Sequence, residues 1–281
     1  MNISGKTKII GIFGYPVEHS LSPSMHNAAF SYLNLDFCYV PFSVMPEMLE
    51  NAVNGIRAMN IVGVNVTIPH KEKILPLLDM LSDEAQFIGS VNTIKNDSGE
   101  LTGFNTDGKG FMISLSEKGI EVKGRRVLLI GAGGAARAVG YYICRDASSL
   151  LIYNRNIGRA EVLKTHLSSF KENVQAVGED EINNKNFFSE IDIIINTTPL
   201  GLKSDDPLPL NASLLNKSQT VCDLIYKETH LLQQASIVGC KTVNGLGMLL
   251  WQGVLAFEKW TGIQPPVKIM KEALLNQMRS S

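Results

Sequence analysis

Three observations predict an α/β fold whose second half is a Rossmann-like, doubly wound parallel sheet. Short apolar runs alternate with helical patterns along most of the chain, the signature of strands covered by helices on both faces. The run Val127–Ile130 leads into the turn Gly131, Gly133, Gly134, spaced G-x-G-x-x-A with Ala136 in the third slot, and a helical pattern follows. More than a hundred residues precede this turn, enough for a separate α/β domain in a chain of 281 residues.

In the first half, Lys8–Phe13 reads as a buried strand. A helix follows from Ser22, with Ser22 as expected N-cap and Pro23 at the first helical position. Phe37–Val44 is a second strand, Pro46 opens a helix reaching about Met59, and Ile61–Ile68 is a third strand halted by Pro69. Helical segments are expected from Lys71 and from Ser82. Val91–Lys95 and Leu101–Phe104 flank Asn96-Asp-Ser-Gly99, a hairpin turn. From about Gly108 a helix leads into strands at Arg126–Ile130, Ser149–Tyr153, Ile191–Asn196 and Thr220–Ile225, with helices between. After Gly245 the chain reads as helical through Trp251 and Phe257, and again over Val267–Met278.

Composition narrows the function. The chain is 44% hydrophobic and 19% charged, with 26 basic and 27 acidic residues and a net charge of −1. No overall basic field draws nucleic acid or anionic lipid. Cys38, Cys144, Cys222 and Cys240 show neither a C-x-x-C pair nor metal spacing, so buried thiols in a reducing, cytoplasmic setting and no metal site are expected. The apolar run Ile9–Phe13 is too short for a signal peptide or a membrane span.

Five groups of residues carry candidate chemistry. Around the glycine turn, Gly131 permits a tight bend, Gly133 admits a pyrophosphate to the backbone, and the helix start adds partial positive charge. No carboxylate stands at the tip of the next strand, where an NAD-binding site places one for the ribose. Arg155 and Arg159, four residues apart, suit a 2′-phosphate and so NADP; otherwise they are two solvated arginines. Ser20 and Ser22 bracket a helix start, fit to hold a small carboxylate, or else Ser22 is only a cap. Asn65 and Thr67 alternate along one strand and share a side, with Lys71 just past the proline turn as a ligand-facing or an ordinary surface lysine. Asn92 and Asp107 fall where the first domain hands over to the second, a natural place for a ligand cleft, although Asp107 before Gly108 is also common turn chemistry. His19 and His26 lack the companions a metal site needs.

Taken in order, these segments resemble the shikimate dehydrogenases. The matching motifs are G-x-P-x-x-H-S-x-S-P-x-x-H-N at Gly14–Asn27, N-V-T-x-P-x-K at Asn65–Lys71 and V-N-T at Val91–Thr93. They continue with G-F-N-T-D-G at Gly103–Gly108, G-A-G-G-A at Gly131–Ala135, N-R at Asn154 and Arg155, and G-L-G-M-L-x-x-Q at Gly245–Gln252. The resemblance implies a substrate-binding and catalytic domain over 1–107, completed by C-terminal helices at about 246–281, and an NADP-binding Rossmann domain over 108–245. It implies reduction of 3-dehydroshikimate to shikimate with NADPH in aromatic amino-acid biosynthesis. Lys71 and Asp107 would be the catalytic pair, the carboxylate of Asp107 keeping the lysine charged. Ser20 and Ser22 would hold the substrate carboxylate, with Asn65, Thr67, Asn92, Tyr226 and Gln252 around the ring. Gly131, Ala132, Gly133, Gly134, Ala135, Asn154, Arg155 and Arg159 would hold NADP, with Asn196, Thr197, Thr198, Gly245 and Met248 near its ribose and nicotinamide.

Two departures from the family pattern stand out. After Tyr226 the chain reads Lys-Glu-Thr-His-Leu-Leu232, two residues shorter than the usual Y-x-P-x-x-T loop and without its proline, so Thr229 need not match the family threonine. Asn156 replaces the threonine that usually follows Arg155. A quinate/shikimate dehydrogenase using NAD or both cofactors is the nearest alternative. A non-catalytic sensor is disfavoured because Lys71 and Asp107 are both present, and a folate dehydrogenase because of the twin serines and Gln252. A monomer or homodimer is expected.

Overall fold

The structure, a computed structural model, describes residues 3–280. Its contacts divide the chain into two compact units, Met1–Thr106 with Leu250–Ser281, and Asp107–Leu249. The chain boundaries thus fall after Thr106 and Leu249, where the sequence suggested 107 and 245.

The first unit contains β1 (Lys8–Gly14), α1 (Ser22–Tyr32), β2 (Phe37–Ser43), α2 (Leu49–Ala58), β3 (Gly63–Val66), β4 (Met80–Leu81), α3 (Asp83–Ile88), β5 (Thr93–Asp97) and β6 (Glu100–Phe104). They form a mixed six-stranded sheet in the order β2-β1-β3-β5-β6-β4. β1 lies between two parallel neighbours, which explains its unbroken apolar run, buried from Ile10 to Gly14. The expected hairpin forms between β5 and β6; Ser98 and Gly99 both take positive φ (57° and 99°), and Asn96 Oδ1 accepts from Gly99 N at 2.7 Å.

Two local expectations need correction. Ser22 is the first helical residue of α1 rather than its cap: Leu21 is the N-cap and makes no side-chain cap bond. Pro23 already tolerates the helix start without a donor, so the Ser22 side chain is released for other partners. No α-helix begins at Lys71. The chain instead turns and makes only a short 3-10 segment, Leu75–Leu77, because Pro76 follows too closely for a regular helix to extend. The segment from Ser82 behaves as read, with Ser82 Oγ accepting from Ala85 N and Gly89 ending α3 at φ 67°.

The second unit contains α4 (Asp107–Glu117), β7 (Arg126–Ile130), α5 (Gly134–Asp146), β8 (Ser149–Tyr153), α6 (Ile157–Ser168), β9 (Val174–Val177), α7 (Glu179–Asn183), α8 (Lys185–Ser189), β10 (Ile193–Asn196), β11 (Thr220–Asp223), α9 (His230–Val238) and β12 (Lys241–Val243). All six strands are parallel, in the order β12-β11-β10-β7-β8-β9. Strand order reverses between β7 and β10, the switch point where open α/β sheets bind ligands beyond their carboxyl ends. β10 starts at Ile193 rather than Ile191, and β11 stops at Asp223 rather than Ile225. β9 and β12 are edge strands of four and three residues with exposed positions, and their sequence pattern is correspondingly weak. Leu128, Leu151, Phe188, Ile194 and Val221 form the centre of this unit's core.

α10 (Leu246–Thr261) contains the second boundary, and α11 (Val267–Ser280) ends the chain. The C-terminal part of α10 packs on the first unit through aromatic rings. Phe257 lies 5.0 Å from Phe30, and Trp260 Nε1 donates to Ile94 O at 2.9 Å. α11 packs along α1. This return of the C-terminal helices is part of what the resemblance implied.

Candidate active site

In the first unit, β3, the β5 start with the residue before it, the segment after β6 and α10 bring five polar motif residues into one buried network. Asn65, 3% exposed, sits on β3 next to the antiparallel β5. Its Nδ2 donates to Asn92 O at 3.1 Å and to Thr93 Oγ1 at 3.2 Å. Asn92 Nδ2 donates to Thr106 Oγ1 at 2.9 Å and reaches Gln252 Oε1 at 3.5 Å. Asn92 Oδ1 accepts from Thr106 N at 2.8 Å, and Thr106 Oγ1 donates to Gln252 O at 3.1 Å. Residues distant in sequence are thereby held in fixed rotamers, and a satisfied network of this kind rigidifies its members. Thr93 and Thr106 were read only as parts of motifs; their hydroxyls are what tie the amides together.

Ser20 and Ser22 stand at the start of α1, where Ser20 Oγ accepts from Ser22 N at 3.3 Å. Ser22 is buried and Ser20 half-buried. Thr67 follows β3, half-buried, with its N–H donating to Phe13 O at 2.9 Å. Lys71, also half-buried, lies in the turn after Pro69. That turn is anchored on both sides: the buried His70 ring bonds Val44 O through Nε2 at 2.7 Å, and Lys71 O accepts from Val91 N at 2.8 Å. His70 was an unassigned position in the N-V-T-x-P-x-K motif, and its anchoring role depends on a contact that sequence spacing does not show.

In the second unit, Gly131 closes β7 with φ 113°, a conformation that disfavours every side chain, and a Cβ there would collide with Thr197 Oγ1. Thr197 in turn donates from N and Oγ1 to Ile130 O at 2.9 and 2.7 Å, joining the carboxyl ends of β7 and β10. Ala132 is buried, Gly134 and Ala135 are half-buried, and Gly133 is the N-cap of α5 with no side-chain cap bond and nothing within 4 Å of where a Cβ would stand. Open backbone at the start of a 13-residue helix fits a phosphate group. Arg155 and Arg159 are both exposed around the start of α6, and neither forms an ion pair among the described residues. Asn154 Nδ2 donates to Asn156 O at 2.8 Å and shapes the loop carrying Arg155. The donor set therefore fits a dinucleotide bearing an extra phosphate.

The β10 and β11 ends are joined by Asp223, 1% exposed, which no motif flagged. Its carboxylate accepts from Asn196 Nδ2 at 3.2 Å, Ile225 N at 3.1 Å and Thr229 Oγ1 at 2.8 Å. Burial pushes its carboxyl above the ordinary value, and these three hydrogen bonds oppose that rise. Asn196 Oδ1 accepts from Thr198 N and Oγ1 at 3.1 and 2.7 Å. Thr229 is the N-cap of α9, accepting from Leu232 N at 3.4 Å, and the half-buried Tyr226 lies in the short loop between them. Gly245 packs its Cα against Leu224 O, too close for any side chain, and Met248 is buried on the first turn of α10. Asp107 is the buried first residue of α4.

Among the described residues no cluster of three or more His, Cys, Asp or Glu side chains could hold a metal ion, and no helix is long and apolar enough to cross a membrane. All four cysteines are free and buried, and burial drives Cys222 up to about 12 and Cys144 up to about 11. Neither is a thiolate nucleophile near neutral pH.

A doubly wound sheet with a glycine turn at its switch point, preceded by a domain lined with buried amides and hydroxyls, defines a two-domain dinucleotide-dependent oxidoreductase class. Comparisons with known proteins narrow the class. The chain matches family models described as shikimate dehydrogenase substrate binding domain (residues 12–94), shikimate/quinate 5-dehydrogenase (114–201) and shikimate 5′-dehydrogenase C-terminal domain (245–275). It is 46% identical to a shikimate dehydrogenase (NADP(+)) of Carboxydothermus hydrogenoformans, covering 98% of this chain and 99% of that one. A solved shikimate dehydrogenase in complex with NADP+ superposes with a TM-score of 0.91 at 42% identity, covering 98% of this chain and 97% of the other. The Listeria monocytogenes shikimate 5-dehydrogenase, solved in complex with shikimate and NAD, gives 0.89 at 39% identity and covers 98% of both. The chain belongs to the shikimate dehydrogenase family.

Proposed function

We propose that this chain catalyses the reversible, NADPH-dependent reduction of 3-dehydroshikimate to shikimate in aromatic amino-acid biosynthesis. The observation carrying this reading is the buried network joining Asn65, Asn92, Thr106 and Gln252. A polyhydroxylated ring needs such fixed donors and acceptors, because each hydroxyl withdrawn from water requires a partner. Asn65, Thr67, Asn92, Tyr226 and Gln252 would meet the ring. Ser20 and Ser22, at the start of α1, would take the carboxylate.

Bound NADPH would supply the hydride; the chain's own residues manage binding and the proton. Lys71 is the proposed proton donor to the oxygen that becomes a hydroxyl, and Asp107 its catalytic partner. The anchored turn at His70 holds the Lys71 backbone, so its ammonium is presented from a rigid base. The glycine turn would seat the pyrophosphate, Asn154, Arg155 and Arg159 the adenosine end with its 2′-phosphate, and Asn196, Thr197, Thr198, Gly245 and Met248 the ribose and nicotinamide. A cytoplasmic enzyme fits four buried free thiols, and a monomer or homodimer is the assembly proposed for it. A second reading, use of both NAD and NADP, is favoured by one observation: the similar Listeria protein was solved with NAD.

Spectrophotometric oxidation of shikimate with NADP+ and NAD+ in parallel tests the proposal, with turnover expected to favour NADP+. Absence of shikimate oxidation with either cofactor refutes it. Comparable kcat/KM with both supports the second reading.

A further inference from the structure

Ser20 and Thr67 follow the carboxyl ends of β1 and β3. At the amino ends of the same two strands lies an open cavity of about 270 Å³ that the proposed reaction does not use. Lys8 opens β1, whose seven residues span about 20 Å. The cavity is therefore separate from the substrate-facing end of the sheet.

Strand register puts its charged residues on one face. Lys8 and Ile10 alternate along β1 and share a side. Ile10 pairs with Gly63 and Gly63 with Lys95, so Lys95 stands on that same face, with Asp97 two residues further along β5. Gly63 leaves the gap in this row. A Cβ there would collide with Nε1 and Cδ1 of Trp260, so the indole lies against β3, between the two strands that carry the lysines. Trp260 Nε1 donates to Ile94 O at 2.9 Å, which fixes the ring, and at 6% exposure only its edge is open. The wall beyond Lys95 is rigid as well: Asn96 Nδ2 donates to Ile61 O at 2.8 Å, and its Oδ1 accepts from Gly99 N at 2.7 Å.

The cavity carries more positive charge than its own carboxylate balances. Lys8 forms no ion pair among the described residues; its Nζ lies 5.5 Å from the centre of the Phe37 ring, a contact that supplies no counter-charge. Lys95 pairs with Asp97 at 2.8 Å, but these side chains are 33% and 60% exposed, and an exposed pair is weak. An anion entering here meets one ammonium without a counter-ion and a second that is loosely held. Val62 and the indole edge give it an apolar floor. The volume falls just below the usual range of ligand pockets, about 300–1,000 Å³, so the fitting molecule is small.

We propose that this cavity is a second ligand site, which takes a small organic anion. A carboxylate or phosphate ester sits between Lys8 and Lys95, and the flat apolar body that carries it rests on Trp260 and Val62. The proposal does not depend on the reaction assigned to the chain.

Trp260 is one of two tryptophans, so Trp251→Phe leaves it as the sole indole reporter. The full chain with this substitution is titrated with benzoate, phenyl phosphate and uncharged benzyl alcohol. Benzoate, phenyl phosphate or both should change the Trp260 emission saturably, with Kd below about 10 mM, and the tighter of the two identifies the head group. Lys8→Ala and Lys95→Ala should each raise that Kd about fivefold or more, the loss expected for a charge-assisted contact. Ser22→Ala and Arg155→Ala, which alter the candidate substrate and cofactor sites, should leave it unchanged. If Trp251→Phe does not fold, calorimetric titration of the chain with both tryptophans reads the same Kd values. Saturation by neither anion overturns the proposal. So does a Kd that both lysine substitutions leave unchanged, or one that only Ser22→Ala or Arg155→Ala weakens. Equal binding of benzyl alcohol also overturns it, because the cavity would then select no anion.

Discussion

The Thr229 hydroxyl donates to the buried Asp223 carboxylate across 2.8 Å while its oxygen accepts from Leu232 N at the start of α9. One side chain thus caps a helix and satisfies a buried acid, which is how the short loop bearing Tyr226 is closed without a proline. Thr229→Val keeps the shape and removes both interactions. Losing a cap costs about 1 kcal/mol, and leaving a buried acceptor short of a donor about 1–3 kcal/mol more. Urea unfolding should therefore place the variant about 2–4 kcal/mol below wild type. A difference under about 0.5 kcal/mol, the range of an ordinary surface change, would show that the Asp223 pairing contributes nothing.

Arg155 and Arg159 are exposed around the start of α6, where cations oppose the helix dipole. An anion bound between them removes that conflict. Arg155→Ala should lower kcat/KM for NADP+ by at least about tenfold and leave the NAD+ value nearly untouched, since a charge-assisted contact to phosphate is worth more than a neutral one. The measurement is the ratio of the two kcat/KM values, and an unchanged ratio would assign the 2′-phosphate elsewhere.

Lys71 projects from a turn fixed by His70 and by the Lys71 O to Val91 N bond, so truncating its side chain should leave the turn intact. Lys71→Ala should lower kcat by about 100-fold or more, the usual worth of a positioned acid, with KM for shikimate changed only a few-fold. A raised KM with normal kcat would make the lysine a binding group instead. His70→Ala should lower kcat too, by disturbing the turn, but with a measurable loss of stability that Lys71→Ala does not share.

How far these features could be read from the sequence depends on their range. The Gly131 turn, the β5–β6 hairpin and the longer parallel strands are local patterns and lie within two residues of where the sequence predicts, whereas the short edge strands β4, β9 and β12 are not predicted. The helix expected at Lys71 fails because Pro76 cuts the segment to one 3-10 turn. Ser22 looked like a cap because serine before proline usually is one; the helix starts one residue earlier in register, and Ser22 turns inward toward Tyr39. Asp223, His70 and Thr106 escaped notice for a common reason. Each acts through partners far away in sequence, as Thr106 does with Gln252, and no spacing rule encodes a tertiary hydrogen bond.

His26 supplies a pH dependence of the fold. It is 0% exposed, its ring lies between Tyr39 and Phe257, neither ring nitrogen has a hydrogen-bond partner, and burial lowers its pKa from 6.5 to about 3. The unfolded chain takes up a proton on this imidazole near pH 6.5, whereas the folded chain stays neutral down to about 3. In that window the unfolded state binds more protons, so stability is complete above about 6.5 and falls as pH drops, by up to about 1.4 kcal/mol per unit. His26→Phe keeps an aromatic ring in the stack and removes the titration. Urea unfolding of both proteins between pH 4 and 7 should give the variant a shallower decline, by about one proton's worth of slope. Parallel declines would show that the imidazole does not remain neutral in the folded protein at acidic pH, and that another group sets the acid limit.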